Sequence, residues 1–176
     1  MISKTIPKKC KKIKLIITDV DGVLTDGGIY YSEKGEEQRK FNTKDGVCAF
    51  LRNHGIKTVF LTSENSKFAK VRGKKVKADA VYINVPSKEK KLPDICKKFN
   101  LTPNQIAYIG DDVNDLEIMK KIGLSACPSD AVSDIKQKSD FICSLKGGEG
   151  VFREFSELIL KHQVKTWLFL KILIIH

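Results

Sequence analysis

The sequence lacks the features of disulfide-bonded, zinc-binding and secreted proteins. Its five cysteines are scattered, odd in number and form no Cys-x-x-Cys pair, so we expect neither a disulfide framework nor a zinc site. The basic N-terminus has no apolar segment of the kind found in secretory signals. No internal repeat or low-complexity block is present. The cysteine usage and the missing signal favour a cytoplasmic protein.

Acidic residues are scarce relative to basic ones. The 176 residues include 32 Lys or Arg against 21 Asp or Glu, which gives a formal net charge of +11. Such a charge suits an anionic partner, but many of the lysines occur in doublets of the kind that cover solvated surfaces. Because no RNA- or DNA-binding signature accompanies them, we do not expect nucleic acid as the partner.

The length fits one domain with its own hydrophobic core. We interpret residues 1–11 as a flexible basic lead-in, residues 12–160 as the folded domain and residues 161–176 as a C-terminal tail. The tail is apolar, but Lys165 and Lys171 interrupt it, and it is too short to span a bilayer. We expect it to dock on a neighbouring subunit; contact with a membrane surface is the alternative.

Short apolar segments that alternate with helical segments predict an α/β fold, doubly wound and Rossmann-like, with a mostly parallel sheet. The predicted strands of the sheet cover residues 13–17, 57–61, 80–82, 105–109, 124–127 and 140–143. Residues 29–31 and 37–41 flank a turn and predict a β-hairpin. Since this hairpin is inserted between the first strand and its helix, we expect it to stand over the sheet edge as a small flap.

Two clusters of acidic residues follow predicted strands. Asp19 and Asp21 come directly after the first strand, and Asp111, Asp112 and Asp115 follow the strand at residues 105–109. The carboxyl ends of parallel strands open into the crevice where such sheets bind ligands. Alone, a pair of aspartates could be a polar turn. Together the clusters favour a hard divalent cation, because every nearby candidate ligand is oxygen.

Thr62 follows the strand at residues 57–61 and reaches the same edge. A hydroxyl beside a helix N-terminus suits phosphate oxygens, although such residues also serve as plain helix caps. Lys88 stands at another loop-to-helix junction, where by itself it suggests a surface lysine. With a cation present, one carboxylate can attack phosphorus to give an aspartyl-phosphate. A second one, two residues on, can protonate the leaving alkoxide and then activate water.

The chain resembles the haloacid dehalogenase superfamily of phosphatases in four motifs that occur in the family's order: Asp19-Val20-Asp21-Gly22-Val23, Thr62, Lys88 and Gly110-Asp111-Asp112-Val113-Asn114-Asp115. The resemblance implies Asp19 as the nucleophile and Asp21 as the general acid and base. It implies Mg²⁺ on Asp19, the Asp21 carbonyl oxygen and Asp111. Thr62 and Lys88 would hold the phosphoryl group, and the supporting residues would be Asp112 and Asp115.

Three further segments resemble the branch of that superfamily without a cap domain: Thr25-Asp26-Gly27, Phe41 to Gly46 and Gly147 to Phe155. This branch contains phosphatases of octulosonate 8-phosphate and of nonulosonate 9-phosphates, which act in lipopolysaccharide or sialic-acid biosynthesis as homotetramers. The resemblance implies a homotetramer and a phosphorylated 2-keto-3-deoxy sugar acid as substrate. The substrate-binding residues would be Asn42, Thr43, Lys44, Asp45, Gly46, Glu64, Arg72 and Lys75.

One departure from the branch leaves the substrate open. Octulosonate phosphatases usually have Gly-Arg after the threonine of the second motif, whereas this chain has Ser63-Glu64. An arginine would pair with a substrate carboxylate, and Glu64 would repel it unless Lys75 or Arg72 holds the glutamate. The nonulosonate enzymes have a glutamate at this place, so the sequence slightly favours a nine-carbon acid as the substrate.

Two other functions fit parts of the sequence. Related domains that have lost their aspartates serve as non-catalytic assembly domains in sialic-acid cytidylyltransferases, but Asp19, Asp21, Lys88 and Asp111 are intact here. The basic charge would suit a nucleic-acid end phosphatase, yet no extended basic groove is evident and the predicted flap suits a small substrate. The sequence therefore predicts a Mg²⁺-dependent sugar acid phosphatase.

Overall fold

The strands of the protein form one parallel sheet and one hairpin. The computed structural model describes residues 5–163. Within them, the eight strands are β1 Leu15–Thr18, β2 Tyr30–Ser32, β3 Gly35–Gln38, β4 Lys57–Leu61, β5 Ala80–Tyr82, β6 Ile106–Ile109, β7 Leu124–Cys127 and β8 Phe141–Ile142. Six pair in parallel in the order β5-β4-β1-β6-β7-β8, and β2 pairs with β3 in an antiparallel hairpin. The predicted doubly wound α/β fold is confirmed.

Helices cover both faces of the sheet. The described residues contain α1 Ile6–Cys10, α2 Cys48–Asn53, α3 Lys67–Val76, α4 Lys88–Phe99, α5 Leu116–Met119, α6 Ser133–Lys138 and α7 Val151–Gln163. Helices α1, α2, α3 and α7 pack in one buried cluster that includes Ile16, whereas α4, α5 and α6 pack in a second that includes Leu15 and Ile17. A strand covered on both faces needs an unbroken apolar run, because successive residues face opposite sides.

The chain reverses its direction across the sheet at β1. After β1 it adds β4 and β5 on one side and then returns to place β6 on the other. Thr18 at the end of β1 is therefore in register with Phe60 in β4 and with Ile109 in β6. Open α/β sheets bind ligands at such a switch point, at the carboxyl ends of the strands. The residues that follow β1, β4 and β6 meet at this crevice.

The N-terminal segment differs from the expected flexible lead-in. Ile6 and Cys10 of α1 are four residues apart, so they share one helix face, and both are buried in the core. Gln163 at the end of α7 donates its side-chain amide to the carbonyl oxygens of Cys10 and Ile13, at 2.7 and 2.8 Å. The expectation is wrong for residues 5–11, because the abundance of lysine obscured two apolar residues with helical spacing.

The C-terminal helix continues past the predicted domain end at residue 160 and reaches Gln163. The docking predicted for the tail concerns residues 164–176, which lie outside the described part of the chain. Between residues 5 and 163, no helix has the length and apolar composition that crossing a membrane requires.

The insertion between β1 and α2 is the predicted hairpin. Its strands are short, and Tyr30 and Tyr31 on β2 are exposed. After β3 the chain returns to the sheet edge, where Phe41 forms a single antiparallel bridge with Thr25. The hairpin therefore begins and ends beside the acidic crevice, and the described residues contain no cap domain.

Candidate active site

Asp19 lies at the bottom of the crevice, directly after β1, and is 5% exposed. Its Oδ1 accepts a hydrogen bond from the Val20 N–H at 2.7 Å. Its Oδ2 lies 2.7 Å from Nζ of Lys88. Two contacts therefore fix the orientation of the carboxylate that we expect to act as the nucleophile.

Lys88 is fully buried, although its place at the start of α4 by itself suggested a surface lysine. Its Nζ lies 2.7 Å from Asp19 Oδ2 and 2.6 Å from Asp115 Oδ1. A buried ammonium is costly unless it is paired, and here two carboxylates pair it. Burial lowers the pKa of Lys88, but the charges of the two aspartates outweigh burial and raise this pKa, so the side chain stays cationic.

Asp115 organises the acidic loop after β6. Besides Lys88, its Oδ1 accepts the hydroxyl of Tyr108 at 2.5 Å. Its Oδ2 accepts the N–H groups of Asp111 and Asp112 at 3.0 and 3.3 Å. Both carboxylate oxygens are thus engaged within the protein, which suits the supporting role expected for this residue.

A cation can be held where the two acidic clusters meet. Asp19, Asp111 and Asp115 each have a carboxylate oxygen within 4.8 Å of the others. Both oxygens of Asp19 and of Asp115 already have partners, so Asp111 is the member of the three whose carboxylate has an oxygen left for a cation. Asp111 Oδ1 is buried without a hydrogen-bond partner, and a buried acceptor of this kind needs a donor or a cation. An all-oxygen donor set fits a hard divalent ion.

The electrostatics of the cluster also favour a cation. Burial raises the pKa of Asp19 to about 7, against the opposing charge of Lys88. Burial, together with the charges of Asp19 and Asp115, raises the pKa of Asp111 to about 8. The physical cause is burial, in a cluster where one ammonium faces two buried carboxylates and one half-buried carboxylate. A divalent ion between Asp19 and Asp111 would stabilise the ionised carboxylates and lower both pKa values.

Gly22 allows the second acidic cluster to approach the first. Its φ is +81°, in the left-handed region that favours glycine. A Cβ at this position would lie 2.0 Å from Oδ2 of Asp111. Any larger residue after the Asp-x-Asp pair would therefore displace the Asp111 carboxylate.

The acidic groups open into a pocket of ≈ 260 Å³ whose lining residues are Asp19, Asp21, Gly22, Gly27, Thr62, Ser63, Glu64, Asp111, Asp112 and Asn114. The Thr62 hydroxyl lies 3.5 Å from Asp21 Oδ2 and accepts the Glu64 N–H at 3.1 Å. The structure thus brings together the residues predicted for catalysis and metal binding: Asp19, Asp21, Thr62, Lys88 and Asp111.

The residues predicted to bind the substrate do not form one group. Glu64 lines the pocket. Arg72 instead donates to the carbonyl oxygen of Asn42 at 2.6 Å and lies over the ring of Phe41. Ion pairs within residues 5–163 join neither Arg72 nor Lys75 to Glu64. The basic partner considered for Glu64 is therefore not supplied by these two side chains.

The segment 42–46 contacts the C-terminal part of the domain. The side-chain amide of Asn42 donates to the Gly148 carbonyl oxygen at 3.1 Å. Asp45 is buried and accepts the Arg153 N–H in the first turn of α7 at 3.0 Å; burial raises its pKa to about 6. The exposed members of the segment are Thr43, Lys44 and Gly46. Their binding of substrate stays a prediction.

Two residues of the site were not predicted from the sequence. Arg39 contacts the carboxylate of Asp21, and Tyr108 donates to Asp115. A signal for Arg39 existed, since it is a cation at the end of a hairpin predicted to stand over an acidic crevice. The signal for Tyr108 was a polar group in an otherwise apolar strand that leads to the second acidic cluster.

Known proteins are similar to this chain over most of its length. A family model for haloacid dehalogenase-like hydrolases matches residues 50–155. The 3-deoxy-D-manno-octulosonate 8-phosphate phosphatase of Salmonella typhi is 34% identical over 167 residues, which are 93% of this chain and 88% of that protein.

Two solved structures have a similar backbone. The same kind of phosphatase from Moraxella catarrhalis, in complex with magnesium ion, phosphate ion and KDO, has 32% identity and a TM-score of 0.91, covering 97% of this chain and 99% of that one. The cobalt-bound form from Haemophilus influenzae has 34% identity and a TM-score of 0.86, with 93% and 99% covered. The likeness therefore includes the whole sheet and the crevice.

Proposed function

The chain belongs to the haloacid dehalogenase-like hydrolases and is a phosphatase, and we propose that it hydrolyses a phosphorylated 2-keto-3-deoxy sugar acid with Mg²⁺ through an aspartyl-phosphate. One observation supports this most. The buried Asp19 carboxylate, paired with Lys88, faces the pocket that also contains Asp21, Thr62 and Asp111. This is the set of groups that phosphoryl transfer to a carboxylate requires.

In the first step, a carboxylate oxygen of Asp19 attacks phosphorus, and the bond between phosphorus and the sugar oxygen breaks. Asp21 donates its proton to that oxygen, so the sugar leaves as an alcohol. In the second step, Asp21 takes a proton from water as the water attacks the aspartyl-phosphate. Inorganic phosphate leaves, and the free carboxylate of Asp19 is restored.

The charge of the phosphoryl group is met by Lys88 and by the hydroxyl of Thr62, which donates to a phosphoryl oxygen. Lys88 is rigidly held between two carboxylates, so it needs no reorganisation during the reaction. Asp19, Asp111 and the carbonyl oxygen of Asp21 would hold Mg²⁺. When bound, the ion supplies positive charge beside the phosphoryl oxygens.

The substrate we favour is 3-deoxy-D-manno-octulosonate 8-phosphate, because the similar proteins named above are phosphatases of this compound. One observation favours a nonulosonate 9-phosphate as the second candidate. Glu64 lines the pocket at the position where octulosonate phosphatases usually have an arginine, and neither Lys75 nor Arg72 neutralises it. Both candidates are anionic sugar acids of similar size.

We further propose a cytoplasmic homotetramer. Of the predicted substrate-binding residues, Thr43, Lys44, Gly46 and Lys75 are exposed and lie outside the pocket lining. A neighbouring copy that covers the pocket could bring such residues to the substrate. The non-catalytic role is disfavoured because the acidic groups and Lys88 are intact and mutually oriented. Sedimentation equilibrium measures the number of subunits.

The test of the substrate compares kcat/KM at a fixed Mg²⁺ concentration for octulosonate 8-phosphate, a nonulosonate 9-phosphate and a 3′-phosphorylated oligonucleotide. We expect the preferred sugar acid to exceed the oligonucleotide by at least about 100-fold, because a buried site discriminates strongly against ligands that leave polar groups unpaired. Cleavage of the oligonucleotide without cleavage of either sugar phosphate would show that the proposed substrate class is wrong.

A further inference from the structure

An arginine with a buried side chain connects the hairpin to the pocket. Arg39 follows β3, and its side chain is only 1% exposed. Its Nε donates to Glu36 Oε1 at 2.5 Å, and its Nη1 contacts Oδ1 of Asp21. One guanidinium group therefore joins a carboxylate of the hairpin to a carboxylate of the catalytic turn.

Asp21 depends on this contact for its orientation. Its Oδ2 lies 3.5 Å from the Thr62 hydroxyl, a weak contact, whereas its Oδ1 is held by the charged Arg39. Among residues 5–163, the basic side chain paired with Asp21 is Arg39, and Lys88 instead pairs with Asp19 and Asp115. The two carboxylates of the Asp-x-Asp pair thus have separate cationic partners.

The shape of the guanidinium group explains why an arginine suits this position. Its N–H groups point in fixed directions within one plane, so it can donate to two carboxylates and keep their relative positions. A lysine has the charge but lacks this fixed geometry. Glu36 lies three residues before Arg39 and holds Nε, which leaves Nη1 directed at Asp21.

We propose that Arg39 is the positioning residue of the acid–base step: it holds the Asp21 carboxylate toward the leaving oxygen of the substrate, and Glu36 holds Arg39. The inference rests on the proposed function, because it assumes that Asp21 protonates the leaving group. It also gives the hairpin a part in the reaction, since Glu36 lies on β3 and Arg39 follows that strand directly.

The test uses two substrates that differ in their need for an acid. A sugar phosphate leaves as an alcohol and needs protonation, whereas p-nitrophenyl phosphate releases a stable phenolate that does not. We expect Arg39→Ala to lower kcat/KM for the sugar phosphate about 100-fold, a part of the usual effect of general acid catalysis. For p-nitrophenyl phosphate we expect less than about a threefold loss. Arg39→Lys should restore part of the lost activity.

Two variants with intact Arg39 complete the series. Glu36→Gln should lower kcat/KM for the sugar phosphate about 5-fold, because general acid catalysis weakens when the acid is less well aligned. Glu33→Gln, a change at an exposed position in the turn of the same hairpin, should have no effect on either substrate. Circular dichroism and thermal unfolding identify any variant that does not fold. If Arg39→Ala does not fold, Glu36→Gln and Arg39→Lys decide whether Arg39 positions Asp21.

Two results would overturn the proposal. One is an equal loss for both substrates in all Arg39 and Glu36 variants that fold, which would indicate a structural role. The other is a higher KM for the sugar acid alone with unchanged kcat, which would indicate substrate binding. Asp19→Asn separates these failures from failure of the proposed function: if that variant still turns over both substrates, the aspartyl-phosphate mechanism itself is wrong.

Discussion

The bottom of the pocket and its rim differ in how firmly the chain fixes them. At the bottom, Asp19, Lys88 and Asp115 are buried, and each contacts at least two other groups. At the rim, Ser63 and Glu64 are partly or fully exposed. The groups needed for phosphoryl transfer are therefore oriented within one chain, whereas the groups that would select the sugar are not.

This difference has a physical cause. Buried charges are tolerated only when partners compensate them in a defined geometry, so each aspartate at the bottom restricts the positions of its neighbours. An exposed carboxylate such as Glu64 is stabilised by water and restricts nothing. Changes at the bottom should therefore affect catalysis and folding strongly, and changes at the rim should affect substrate choice.

The largest effect is expected for Asp19→Asn. An amide cannot attack phosphorus, so phosphate release should fall by at least about 1,000-fold for every substrate, as occurs when other enzymes lose a nucleophile. Asp26 is an exposed residue in the loop after β1 and pairs with Lys40. Asp26→Asn is therefore the matched control and should keep full activity. Malachite-green assays measure phosphate release, and turnover retained by Asp19→Asn would contradict a covalent role.

A large effect on stability is expected for Lys88→Met. The change removes the ammonium group that two buried carboxylates share, so the free energy of unfolding should fall by about 3–5 kcal/mol. Lys91→Met changes a partly exposed lysine on the same helix, which pairs with Asp94 at the surface, and should leave stability almost unchanged. Urea unfolding measures the free energy of unfolding of both variants. Equal values would show that the two ion pairs of Lys88 contribute little to stability.

The next largest effect is the stabilisation of the fold by Mg²⁺, which should depend on pH. Asp111 has a pKa of about 8 in the folded, metal-free chain, raised from 3.8. Between these values the folded state binds a proton that the unfolded state has lost, so stability should fall as pH rises from about 4 to about 8. Mg²⁺ replaces that proton, so its stabilising effect should grow over the same interval.

At a Mg²⁺ concentration 100 times Kd, the stabilisation should reach about 2.7 kcal/mol, or a rise in Tm of roughly 5–10 °C for a domain of this size. Differential scanning fluorimetry at pH 5.5 and pH 8 with and without EDTA measures it. Asp111→Asn should remove the part of the pH dependence that Asp111 contributes and leave the part that comes from Asp19 and Asp45, whose pKa values burial also raises. The same rise in Tm at both pH values would mean that Asp111 does not take part in metal binding.

A smaller effect on stability is expected for Gly22→Ala. The left-handed φ of +81° should cost about 1 kcal/mol, and contact of the new Cβ with Asp111 should also weaken Mg²⁺ binding. Gly55→Ala is the matched control, since Gly55 has a φ of +77° but no neighbouring atom within 4 Å of a Cβ. Both variants should lose stability, and only Gly22→Ala should lose metal affinity in calorimetric titrations.

The smallest effect is expected at the rim, for Glu64→Arg. An arginine would form a charge-assisted hydrogen bond with the carboxylate of an octulosonate, so the ratio of kcat/KM for the eight-carbon over the nine-carbon ester should rise roughly tenfold. Lys70→Ala, a change at an exposed position of α3, is the control and should alter this ratio little. An unchanged ratio in Glu64→Arg would mean that this position does not face the substrate carboxylate.

Much of the fold could be predicted because its signals are local. The apolar runs of β1 and β6, and the aspartates and glycines that follow them, depend only on neighbours in the sequence. The predicted bounds of β4, β5 and β7 match the observed ones. The N-terminal helix was missed because its stability comes from packing on α7, which is more than 140 residues away in the sequence.

The candidate site divides in the same way. The sequence by itself determined which acids and which threonine stand at the sheet edge, because parallel strands place their carboxyl ends together. Only the tertiary structure decided the partners of these groups. Lys88 is buried between Asp19 and Asp115, and Arg39 contacts Asp21. Arg72 donates to Asn42 and forms no ion pair with Glu64. These contacts join residues far apart in the chain, and their energies depend on burial, which no local pattern of residues specifies.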